Sequence, residues 1–110
     1  MTTKLIENAD LTEFIRHHLM CVVYFSGPDC RVCMALKPKL FELLESRFEQ
    51  IAIAEVDCAV SPVLAAQQTV FTIPTLILYI EGREKIRKMR AFSLAELVRD
   101  IDRPYSMLFE

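Results

Sequence analysis

The sequence predicts an α/β fold in which a mixed central β-sheet is flanked by helices on both faces. Three observations carry that prediction. Runs of β-forming apolar residues alternate with stretches of helical apolar spacing, in the order β-α-β-α-β-α-β-β-α. Strands separated by helices favour parallel pairing, whereas the last two, joined by a short loop, pair antiparallel. The run Cys21-Val22-Val23-Tyr24-Phe25 is apolar without alternation, as a strand covered on both faces must be. A chain of 110 residues matches the size of one domain, and residues 1–110 are read as one.

Each element has its own signal. Residues 4–6 form a short first strand. Asp10 and Glu13 have capping-box spacing and place a helix over residues 10–18, with Phe14 and Ile15 inward. The strand over residues 21–25 ends at the loop Ser26-Gly27-Pro28-Asp29. From residue 30 to 48 the apolar positions Val32, Leu36, Leu40, Leu44 and Phe48 recur at helical spacing. Pro38 lies inside that helix and removes one backbone donor. Residues 51–56 are the next strand. Ser61 as N-cap and Pro62 in the first turn open a short helix that ends near Gln68. Residues 75–80 and 84–89 form a hairpin around Glu81-Gly82-Arg83. Ser93 and Glu96 make a second capping box, and the helix they open ends at Pro104. The apolar tail Met107-Leu108-Phe109 packs back on the domain or meets a second copy; packing is the expectation, and the chain is read as a monomer or weak dimer.

Composition excludes several functions. Hydrophobic residues make up 53% and charged residues 25%, as in ordered globular domains. The two glycines, Gly27 and Gly82, lie too far apart to build a phosphate-binding loop. A net charge of −2 argues against general nucleic-acid binding. No apolar run approaches the ~20 residues that span a bilayer. Residues 1–10 show no basic-then-apolar leader, so the expected location is the cytoplasm, with no membrane partner. In that reducing compartment four cysteines are working, metal-binding or buried thiols rather than staples.

Cys30-Arg31-Val32-Cys33 carries the sharpest chemical signal, at the junction of a buried strand and a helix. Residues three apart on a helix have Cβ atoms about 5–6 Å apart. A disulfide needs Cα atoms ~4.4–6.8 Å apart, so a small movement opens or closes the ring. Free N–H groups and the helix dipole stabilise a thiolate at Cys30. Cys33, one turn deeper, is placed to resolve a mixed disulfide. The spacing by itself also admits a buried or metal-binding pair. Zinc takes about four ligands, and His17 and His18 end a different helix from Cys30, Cys33 and Cys58, so no metal is expected. Arg31 favours the Cys30 thiolate, whereas Asp29, a candidate N-cap, disfavours it, and the net sign stays open.

The remaining candidates are weaker. Ile73-Pro74 precedes a strand, where proline is tolerated and a cis bond is accessible. Tyr24 fills core space or serves as a weak proton donor near Cys33. Cys21 is a buried small hydrophobe. Cys58, at the same sheet edge as Cys30, is a candidate regulatory thiol. Arg83, Lys85, Arg87, Lys88 and Arg90 form a charged edge that discourages aggregation; the alternative is a docking stripe for an acidic partner.

Together these features resemble the thioredoxin family over nearly the whole chain. The matching pieces are the strand ending in Phe25, Cys30-x-x-Cys33, Pro38, Val56-Asp57, Ile73-Pro74-Thr75, Gly82 and a terminal amphipathic helix. The resemblance implies a thioredoxin-like fold, Cys30 as attacking thiolate and Cys33 as resolving thiol. It implies that Pro74 is a cis-proline and that Thr72, Ile73 and Pro74 face an extended substrate. A lowered thiol pKa is a known property of such pairs. Departures are clear. Asp29 stands where the family has tryptophan, and Arg31-Val32 where it has Gly-Pro. The family's buried acid falls on Tyr24, its partner lysine near Ile53, and a groove glycine on Arg90. The implied function is a thiol–disulfide oxidoreductase acting on protein disulfides, with no cofactor and with a thiol reductant as second partner. The competing reading, supported by those departures, is a non-catalytic binding or scaffold domain with a vestigial or regulatory cysteine pair.

Overall fold

The structure is a computed structural model that describes residues 2–110. The elements are β1 (Thr2–Lys4), α1 (Asn8–His17), β2 (Met20–Ser26), α2 (Arg31–Arg47), β3 (Ala52–Asp57), α3 (Pro62–Gln67), β4 (Thr75–Ile80), β5 (Arg83–Met89) and α4 (Leu94–Phe109). Their order matches the sequence expectation. The sheet runs β1-β3-β2-β4-β5. β1 and β2 flank β3 in parallel, while β4 is antiparallel to both β2 and β5.

β2 is buried at every position because helices cover both faces. Met20, Val22 and Tyr24 meet Leu40 and Leu44 of α2 and Leu97 and Ile101 of α4. Cys21, Val23 and Phe25 meet Leu11 and Ile15 of α1 and Leu64 of α3. This is the predicted mixed sheet between two helical layers.

Topology assembles one edge. Ser26 at the end of β2 pairs with Asp57 at the end of β3, and Phe25 pairs with Thr75 at the start of β4. The loop before α2, Cys58 and Pro74 therefore emerge together. Ligand sites of α/β sheets gather outside the carboxyl ends of parallel strands for the same reason.

Several boundaries differ from the sequence reading. β1 lies at Thr2–Lys4, ahead of residues 4–6. α1 starts at Asn8, and Glu7 caps it without a side-chain hydrogen bond, so the Asp10–Glu13 box does not form. Glu13 turns instead to Arg16 and His17, at 3.3 and 2.8 Å. The earlier start lets Leu11 and Ile15, one helical turn apart, share the buried face. Phe14 is only half-buried and packs against the exposed His18. Ser61 holds the N-cap position of α3, yet its hydroxyl donates to the Ile6 carbonyl at 2.8 Å. The hairpin turn is Glu81-Gly82 alone, with φ of 52° and 81°, the left-handed pair that a two-residue turn requires.

Pro104 does not end α4; the helix runs on to Phe109. A helical proline costs about 3 kcal/mol. Burying a large side chain returns about 1.5–3 kcal/mol. Tyr105 is buried against Phe48, with ring centroids 5.0 Å apart, and accepts the Gln50 N–H at 3.1 Å. Leu108 and Phe109 pack on the same cluster, so the tail folds back as expected, while Met107 stays exposed. No helix among the described residues is long and apolar enough to cross a membrane.

Candidate active site

Cys30 is the N-cap of α2, and its sulfur accepts the Cys33 N–H at 3.2 Å. A donor on that sulfur favours its anionic form when the pair is reduced. Cys30 and Cys33 are joined as a disulfide with Cα atoms 5.2 Å apart. Cys30 is half-buried, whereas Cys33 is 2% exposed. The expectation that Asp29 caps the helix is corrected: the sulfur takes that place, and Asp29 is an exposed loop residue. Arg31 is likewise exposed, as the first residue of α2.

Facing the pair is the loop before β4. The Ile73–Pro74 bond is cis. Thr75 donates its hydroxyl to the Thr72 carbonyl at 2.7 Å, and the Pro74 carbonyl accepts the Arg90 N–H at 2.7 Å. Arg90 has φ of 62°, a left-handed conformation that a side chain disfavours. The two loops approach closely at Gly27, where a Cβ would sit 3.0 Å from Ile73 Cδ1. A cleft of about 410 Å³ brings together Gly27, Asp29, Cys30, Cys58 and Ile73. Thr72 and Ile73 also line an adjoining hollow with Cys58 and Phe71. Phe71, at 83% exposed, was not singled out by the sequence, although an aromatic residue two positions before Ile73 was visible there.

The other thiols differ in setting. Burial pushes the Cys21 thiol up to about 12. Cys58 is half-buried and its N–H donates to the Ser26 carbonyl at 2.8 Å. Burial raises its thiol pKa, and the adjacent Asp57 carboxylate adds to the rise.

Tyr24 is fully buried and donates its hydroxyl to the Cys33 carbonyl at 2.9 Å. The proton donor imagined for Cys33 is thus engaged with its backbone and not its sulfur. Burial, reinforced by the negative charge of Glu55, pushes the Tyr24 hydroxyl up to about 12. Glu55 itself was missed by sequence reasoning. It is buried on β3, accepts from the Ser26 hydroxyl at 3.1 Å and pairs with Lys37 of α2 at 2.8 Å. The available signal was one acid in the otherwise apolar run Ile51-Ala52-Ile53-Ala54-Glu55-Val56. Among the described residues no group of three or more His, Cys, Asp or Glu side chains is arranged to hold a metal ion.

The comparisons with known proteins agree with this geometry. The Thioredoxin family model matches residues 2–103. The thioredoxin-like protein YdfQ of Bacillus subtilis is 31% identical over 97 residues, which are 88% of this chain and 86% of that protein. The bifunctional thioredoxin reductase/thioredoxin of Mycobacterium leprae is 31% identical over 73% of this chain and 18% of its own length. The solved thioredoxin of Fasciola hepatica superposes with a TM-score of 0.82 at 28% identity, covering 92% of this chain and 97% of its own. A cysteine pair poised at a helix start, on this fold and in this company, makes the chain a member of the thioredoxin family and a thiol–disulfide oxidoreductase.

Proposed function

We propose that the substrates are disulfide-containing proteins of the cytoplasm, with Cys30 as the attacking and Cys33 as the resolving thiol. The asymmetry of the pair carries this reading. Cys30 is reachable and has a backbone donor on its sulfur, while Cys33 is sealed. The Cys30 thiolate attacks one substrate sulfur, forming a mixed disulfide and releasing the other sulfur as a thiolate. Cys33 then loses its proton and attacks Cys30. The second substrate sulfur leaves, and two electrons have passed from the pair to the substrate. Thr72, Ile73 and Pro74 line the approach, and exposed Val32 and Phe71 favour apolar segments beside the target disulfide. Asp29 and Arg31 act on the Cys30 thiolate with opposite signs. Cys58, in the same cleft as Cys30, is a second thiol open to regulation. The name of the M. leprae relative supports a thioredoxin reductase as the thiol reductant.

The test is reduction of a protein disulfide by wild type and by Cys30→Ser under a regenerating dithiol. Loss of activity to the buffer level is expected in the variant. Equal rates would overturn the catalytic roles and leave the non-catalytic scaffold reading. Cys33→Ser is expected to accumulate the mixed disulfide and so retain bound substrates for identification.

A further inference from the structure

We propose that Arg90 sets a charge preference among disulfide substrates: it selects segments that carry a carboxylate close to the target cysteine. The inference rests on the exchange reading above and names the substrate chemistry that the site favours.

Among the described residues, Thr69, Glu81 and Arg90 have left-handed backbone without being glycine, with φ of 60°, 52° and 62°. Two of them follow from local structure. Thr69 lies just past α3, where its N–H donates to the Ala66 carbonyl at 3.0 Å and its own carbonyl accepts from Arg87. Glu81 opens the two-residue hairpin turn, which requires that conformation. At Arg90 the 2.7 Å bond from its N–H to the Pro74 carbonyl accounts for the backbone but not for the side chain. Glycine would make the same bond without the steric cost of a Cβ. The Arg90 side chain is exposed and makes no hydrogen bond or ion pair among the described residues, so nothing in the fold offsets that cost. The preceding basic residues are treated otherwise, since Glu84 holds Arg87 while Glu96 and Asp100 hold Lys88. A disfavoured conformation kept for an unpaired cation beside an active site points to a ligand.

Arg90 joins two parts of the site. Its N–H holds Pro74, whose neighbour Ile73 lines the cleft with Cys30. The residues after it, Ala91 and Phe92, line a hollow of about 260 Å³ with Val32 of the redox motif. Of the residues lining that hollow only Lys39 is charged, and it is a second cation. Asp29, the carboxylate nearest Cys30 in sequence, lines the cleft on the Cys58 side instead. A substrate segment that runs from Cys30 over Val32 therefore meets apolar surface and positive charge. The guanidinium keeps its charge at every working pH and can hold a carboxylate by two parallel hydrogen bonds. Acidic segments are drawn in, and basic ones are repelled.

The experiment mixes the fully reduced protein with a synthetic peptide that has one internal disulfide. The peptide is made with Glu, Gln or Lys, in turn, at each of the two residues on either side of one cysteine. No other reductant is present: the Cys30–Cys33 pair gives up two electrons, the peptide disulfide takes them, and alkylation after acid quenching counts the peptide thiols. Each rate is divided by that of a neutral small dithiol, which removes the peptide's intrinsic reactivity. At low ionic strength the wild type is expected to reduce the Glu version about three- to fivefold faster than the Gln version at one or more positions, with Lys slower still. Salt at about 1 M cuts the screening length to ~3 Å and should flatten that order. Arg90→Ala should erase it, Arg90→Glu should reverse it, and Arg83→Ala and Lys85→Ala, farther along β5, should keep it. Arg90→Gly, which relieves the backbone, decides the matter if the other two Arg90 variants fail to fold. No charge order in the wild type, or the same order in Arg90→Gly, would overturn the role of Arg90. A wild type that leaves every version oxidised would overturn the exchange reading instead.

Discussion

Arg90→Gly should make the protein more stable, although it removes a long side chain. Arg90 has φ of 62° and its N–H is bound to the Pro74 carbonyl at 2.7 Å. The left-handed region costs a residue with a Cβ about 1–2 kcal/mol. Glycine removes that cost but loses more chain entropy on folding, about 0.5–1 kcal/mol. The hydrogen bond belongs to the backbone and survives, and the side chain is exposed, so no packing is lost. The net expectation is a gain of about 0.5–1 kcal/mol, or roughly 2–5 °C in Tm for a chain of this size. Arg90→Ala keeps the Cβ and removes the guanidinium, so it should fall within about 0.5 kcal/mol of wild type. Urea and thermal unfolding of the oxidised proteins give both numbers. Glycine no more stable than alanine would refute the reasoning, because backbone strain is the one property that separates the two. A confirmed gain would mean that stability is given up to keep a cation at the cis-proline loop, as happens where a side chain serves function.

Two further predictions concern ionisation. Asp29→Ala should lower the apparent Cys30 pKa by a few tenths of a unit, since the charge of a neighbouring exposed residue acts through water and contributes about half a kcal/mol. Thiol alkylation of the reduced protein against pH measures it, and no change or a rise would sink the idea. At high pH the fold should weaken progressively from about 9 to about 12. Cys21 and Tyr24 are held up to about 12 by burial, while the unfolded chain ionises nearer their ordinary values of 9.0 and 10.0. Across that window the folded state keeps protons that the unfolded state has lost, so stability is full below it and falls as pH rises. Cys58 shifts in the same direction and adds to the fall. Cys21→Ala, compared with its own stability at neutral pH, should show a flatter urea-midpoint profile between pH 9 and 10; an unchanged slope would exclude Cys21 as a source.

The elements were legible because each rests on local apolar periodicity, and the redox pair because two cysteines in register are rare. What escaped depended on contacts distant in sequence. The Asp10–Glu13 box had the right spacing, but α1 starts two residues earlier, at Asn8, with Leu11 and Ile15 on its buried face. Pro104 carried a strong stop signal that lost to the burial of Tyr105. Glu55 could not be paired with Lys37 from sequence, because they meet only once α2 packs across β3. The left-handed backbone of Arg90 was equally hidden, since no glycine marks the position, although the family resemblance had placed a glycine there.

The basic run on β5 shows why charges counted along a sequence overstate a surface field. Arg87 is held by Glu84 and donates to the Gln68 and Thr69 carbonyls at 2.8 and 3.0 Å, closing the end of α3. Lys88 bridges Glu96 and Asp100 at 2.7 and 2.8 Å, tying β5 to α4. Neither is free to meet an acidic partner. Arg83, Lys85 and Arg90 make no such contact among the described residues. Register separates them further. Arg83 pairs with Ile80 at the hairpin end, whereas Met89 pairs with Thr75 beside the active-site loop. The stripe therefore splits into two functions. Charges at the hairpin end keep an edge strand from pairing with another chain. Arg90 is tied through its backbone N–H to the Pro74 carbonyl, at the active-site end of the strand; if the exchange reading holds, salt dependence of substrate affinity is expected to fall with Arg90→Ala more than with Arg83→Ala or Lys85→Ala.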